Sequence, residues 1–98
     1  MATSVIQMPE IRYGYLDQVS FDDMIDYKTG LYSLRTISND THKPSTATYF
    51  WILQIFEILS NSPYLLQLAV PTDTTYVLYM RKYRGPGGWT AWTSVTFS

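Results

Sequence analysis

Few residues in this chain have side chains suited to acid–base, nucleophilic or metal chemistry. There is one histidine, His42, and no cysteine, so thiolate zinc sites, cysteine nucleophiles and multi-histidine metal centres are all excluded. The only acidic cluster is Asp22, Asp23 and Asp26. Read from Asp17, a calcium loop would need glycine at its sixth position and has Asp22 there, so that template fails. Ser20 ahead of Asp22 and Asp23 fits a helix cap with acidic residues in the first turn, and the cluster is read as capping and solvated charge. A sugar hydrolase would need two carboxylates roughly 5 to 10 Å apart, to be drawn from Glu57, Asp73 and the Asp22 cluster. Gly85-Pro86-Gly87-Gly88 lacks the lysine and hydroxyl of a phosphate loop and precedes a strand, so it reads as a hairpin loop. The expectation is a protein with no catalytic residues, no metal and no cofactor.

Recognition chemistry is better supplied. Tyr79, Tyr83, Trp89 and Trp92 fall close to Arg81 and Arg84, and such rings beside guanidinium groups stack on sugars or anchor a protein partner. His42 and Lys43 lie in a polar run from 38 to 46, the kind of loop that carries recognition on a rigid β scaffold. The candidate binding residues are therefore Tyr83, Arg84, Trp89, His42 and Lys43.

The elements that must position them read as mainly β. Nine tyrosines, twelve threonines and three tryptophans are residues that pack well on a pleated surface. Residues 1–14 read as an N-terminal arm without the apolar core of a secretion signal, and 15–98 as one β domain. A short helix or turn is expected within 15–26. Strands are expected at 31–37, 49–59, 64–70, 75–83 and 89–97, with turns at 61–63 and 72–74. Tyr49–Leu59 holds nine apolar residues in eleven, too few for the roughly 17 to 25 of a membrane helix. It reads as a central strand buried on both faces, with a buried helix as the alternative. In the fourth strand, Val77, Tyr79, Arg81 and Tyr83 read as the wetter face. The result is a small antiparallel sheet or sandwich of about five strands with a short N-terminal helix or turn, a β-rich α+β fold.

Ninety-eight residues, 46% hydrophobic and only 15% charged, suit a single folded domain. A net charge of −1 offers no basic surplus for nucleic acid or an anionic membrane. Charge so near zero, with 16% aromatic residues, favours self-association over a free monomer.

The order of these elements resembles the pyocin knob domain of phage tail fibres, tailspikes and R-type pyocin fibres. The resemblance rests on Phe21-Asp22-Asp23-Met24-Ile25 followed by Thr29-Gly30-Leu31-Tyr32, then Thr41-His42-Lys43-Pro44 ahead of Trp51-Ile52-Leu53-Gln54-Ile55. It continues through Gln67, Tyr79-Met80-Arg81 and the paired tryptophans of Trp89-Thr90-Ala91-Trp92. It implies a non-enzymatic virion module made in the host cytoplasm and carried on an external appendage. Such modules are commonly homotrimeric, bound to other virion proteins, and directed at a host-surface glycan or protein. The alternative is a structural virion protein that joins or decorates fibre, baseplate or capsid proteins.

Overall fold

The computed structural model describes residues 12–37 and 39–97. They form a six-stranded sheet in sequence order: β1 (Arg12–Asp17), β2 (Gly30–Arg35), β3 (Tyr49–Leu59), β4 (Ser62–Pro71), β5 (Val77–Arg84) and β6 (Thr93–Thr96). The mainly β expectation holds, but with six strands instead of five, in a mixed sheet. β1 pairs with β2 in parallel, and every later neighbour is antiparallel. The parallel pair needs a crossover, and the 3₁₀ helix Phe21–Asp26 supplies it. Ser20 caps that helix through its side chain, which accepts from the Asp22 N–H, and Asp22 and Asp23 lie in the first turn as expected. The expected arm lies outside the described residues up to residue 11, while 12–14 open β1.

β3 spans Tyr49–Leu59, and its length and pairing remove the helix alternative. Its turn to β4 is Ser60-Asn61, one step earlier than the 61–63 signal. Both residues have positive φ, 50° and 65°, the geometry that suits a two-residue hairpin between right-twisted strands. Pro63 consequently lies inside β4, opposite Ile58.

The sheet has one covered face. Phe21 and Met24 of the 3₁₀ helix are fully buried against Tyr32, Leu34, Phe50, Ile52 and Ala69. Phe21 meets the Phe50 ring edge-on at 4.9 Å. Two expectations about faces are corrected here. β3 is not buried on both sides, because Trp51 and Ile55 are 57% and 45% exposed and only the alternate residues Phe50, Ile52 and Gln54 are covered. In β5 the face holding Arg81 is the covered one, although its charge marked it as wetter.

Candidate functional site

One cross-strand row on the covered face is polar. Gln54, Gln67 and Arg81 stand opposite one another in register on β3, β4 and β5, and all three are buried. A buried polar group is tolerated when it is hydrogen-bonded, and this row is linked end to end. Gln54 Nε2 donates to the carbonyls of Met24 and Tyr27, each at 2.8 Å, tying the end of the 3₁₀ helix to the sheet. Gln67 Nε2 donates to Gln54 Oε1 at 2.9 Å, and Arg81 Nε donates to Gln67 Oε1 at 2.7 Å. The amide orientations of both glutamines follow from this chain of donors and acceptors.

Arg81 carries the row out to the surface. Nη1 donates to Asp22 Oδ1 at 2.9 Å, and the other Asp22 oxygen lies 2.8 Å from His42 Nδ1. The guanidinium lies 3.7 Å from the ring centre of Trp89 and 4.5 Å from that of Trp92. Delocalised charge and weak hydration make arginine suited to such a stack. Burial lowers the Arg81 pKa from its ordinary value, against the opposing effects of its hydrogen bond to Asp22 and of the charges of Asp22 and Asp40. The group nonetheless stays protonated at neutral pH.

Two tryptophans three apart would face opposite ways on a regular strand. Here Met80 pairs with Thr93 while Tyr83 bridges Trp89, so three steps along β5 face four steps on the returning chain. The extra residue turns Trp92 onto the same face as Trp89, as a bulge re-aims a side chain. Trp92 then meets Phe21 edge-on at 5.5 Å and donates through Nε1 to the His42 carbonyl at 2.8 Å.

The loop that bears His42 and Lys43 is pinned by Asp40. Its Oδ2 accepts from the Phe21 N–H and the Thr36 hydroxyl, and its Oδ1 accepts from the His42 N–H. Burial alone would raise this carboxyl. The hydrogen bonds from Phe21, Thr36, His42 and Ser20 outweigh that and hold it below the ordinary carboxylate range.

These pieces enclose a groove of about 440 Å³, with Arg81 at its base, Asp22 and His42 on one wall and Trp89 to Trp92 on the other. Three sequence candidates, His42, Lys43 and Trp89, meet there. Tyr83 backs Trp89 edge-on at 5.1 Å. Arg84 lies in a different groove, with Ile55, Glu57, Tyr64 and Lys82, on the opposite face of the sheet. Sequence reasoning passed over the central role of Arg81 and the part played by Asp22. The available signal was a single polar residue in each of two apolar strands, Gln54 and Gln67, aligned by a tight hairpin.

The chemistry on offer is recognition by a mixed surface. The histidine side chain is 62% exposed, a lysine stands beside it, and indole edges and threonine hydroxyls line the opposite wall. The His42–Asp22 contact orients an imidazole, but among the described residues neither Thr41 nor Thr90 hydrogen-bonds to that ring. No group of three histidine, cysteine or acidic residues able to hold a metal occurs among the described residues. No protein-family model, curated protein or solved structure matches the chain.

Proposed function

We propose that this protein is a non-enzymatic attachment module of a phage or phage-like particle, which contacts a host-surface glycan or protein through the groove over Arg81. The observation that carries this reading is the junction of the exposed His42-Lys43 loop with Trp89 and Trp92 around one buried guanidinium. A rigid floor under adaptable polar side chains lowers the ordering cost of binding. Aromatic edges with nearby donors suit the alternating apolar and hydroxyl surface of a sugar. The order of motifs, which resembles that of knob domains, supports the same reading. In that setting the chain acts in several copies on an external appendage alongside other virion proteins, so that weak single contacts sum.

A structural role, joining or decorating other virion proteins, is the second reading. The apolar residues exposed on the uncovered face of the sheet favour it.

The test is binding of the labelled chain to a panel of bacterial lipopolysaccharides, capsular polysaccharides and wall teichoic acids, with a His42→Ala/Lys43→Ala variant alongside. Both side chains are at least partly exposed, so the variant should keep its fold. Attachment requires saturable binding to at least one polymer that the variant weakens about tenfold or more. Binding that the variant leaves unchanged would reject the groove.

A further inference from the structure

The uncovered face of the sheet is organised along its strands in five cross-strand rows. Asp17, Arg35 and Tyr49 form one end, with Arg35 Nε donating to Asp17 Oδ1 at 2.5 Å. Glu57, Tyr64 and Arg84 form the other end, with Lys82 one row inside it. Between the ends the rows are mostly apolar: Tyr15, Trp51 and Val70 with Ser33; Leu31, Leu53, Leu68 and Met80; Ile55 and Leu66 beside Lys82. Leu31, Trp51, Ile55 and Met80 are between 39% and 57% exposed there, and Val95 extends the patch onto β6. A sheet with two apolar faces forms a stable layer when both are packed, and the 3₁₀ helix covers only one.

Size and charge both point to the occupant. The rows hold three, six, six, three and three residues, and at roughly 6.6 Å along the strands by 4.8 Å across for each they cover about 670 Å². That falls within the roughly 600 to 1,000 Å² that one partner contributes to a stable interface. Each end carries both signs, Asp17 with Arg35 and Glu57 with Lys82 and Arg84, so the face is complementary to itself in either antiparallel orientation.

We infer that this face packs against the same face of a second copy of the chain, making a two-fold sandwich of two sheets. Two sheets stack face to face at about 10 Å with their inner side chains interdigitated. The groove over Arg81 then lies on the outer side of each copy, and the pair presents two grooves facing away from one another.

Sedimentation velocity of the chain across a dilution series from about 100 to 1 micromolar tests this. The expected species is a dimer of twice the 11.4 kDa chain mass. Trp51→Arg with Ile55→Lys should raise its dissociation constant at least about a hundredfold, by burying unpaired charge. Because both sites are exposed, the circular dichroism of the double variant should match that of the unaltered chain. Trp51→Thr, a milder change that suits a strand, should weaken the dimer about tenfold or more. A single-chain mass throughout, a trimer, an open-ended aggregate, or a dimer indifferent to these substitutions would overturn the inference. The His42→Ala/Lys43→Ala variant should leave the mass unchanged, so failure here is distinguishable from failure of the attachment reading.

Discussion

Replacing Arg81 by methionine keeps most of the apolar stem and removes the guanidinium that holds helix, loop and last hairpin together. Gln67 Oε1 loses a charge-assisted bond of 2.7 Å inside the sheet, which costs about 2 kcal/mol. Two ring contacts at 3.7 and 4.5 Å are lost, about 1 kcal/mol each. The ion pair adds only about 0.5 kcal/mol, since the Asp22 side chain is 32% exposed and keeps water. Against these stand relief of a buried charge and of Arg81 Nη2, which has no hydrogen-bond partner among the described residues, about 1 to 2 kcal/mol together. The net expectation is a loss of about 3 kcal/mol, a large fraction of the roughly 5 to 15 kcal/mol of a domain this size. Urea unfolding followed by tryptophan fluorescence measures it, and the thermal midpoint should fall by about 12 to 24 °C. Arg81→Lys should recover only part of the loss, because an ammonium cannot reach Gln67 and Asp22 as a fork. A loss below about 1 kcal/mol, or a gain in stability, would refute the idea that this guanidinium organises the site.

Gln54→Leu should cost about 3 kcal/mol in the same assay, since it strips donors from the Met24 and Tyr27 carbonyls and a partner from Gln67. Asp40 has a folded pKa below its ordinary value, so its contribution is fully present above the unfolded value of roughly 3.9 and is lost as pH falls through the folded one. Urea midpoints should therefore be flat from about pH 7 to 5 and decline below, with a shallower decline in Asp40→Asn. Gly85→Ala should destabilise the last hairpin by about 1 to 3 kcal/mol. Its φ is +52° and an added Cβ would lie 3.0 Å from Ser62 Cβ and from the Tyr64 ring, so faster amide hydrogen exchange across Arg84 and Gly88 is the readout.

Local patterns made part of this fold legible. β3 was bounded by its own apolar run, and the 3₁₀ helix by Ser20 and the acidic pair behind it. β1 is not legible, because its pairing is parallel, is made across an eighteen-residue offset from Arg12↔Gly30 to Asp17↔Arg35, and passes through Gly14, which carries no strand signal. The covered face of β5 is not legible from residue type, because a charged side chain points to water unless its partners are known, and Arg81 is satisfied by Gln67, Asp22 and two indoles. Residue type located His42, Lys43 and Trp89, but the irregular pairing at 90–92 that brings Trp92 beside them has no local sequence signature.

The chain's three tryptophans divide between the two surfaces, Trp89 and Trp92 at the groove and Trp51 on the opposite face. The most direct measurement of the attachment reading is therefore the ¹⁵N–¹H spectrum of the three indole N–H groups, recorded while oligosaccharides released from lipopolysaccharide and teichoic acid are added. Shifts in the Trp89 and Trp92 signals that saturate, with Trp51 unmoved, are the expected result. Shifts confined to Trp51, or no shift with any of these oligosaccharides, would contradict a glycan-binding groove over Arg81.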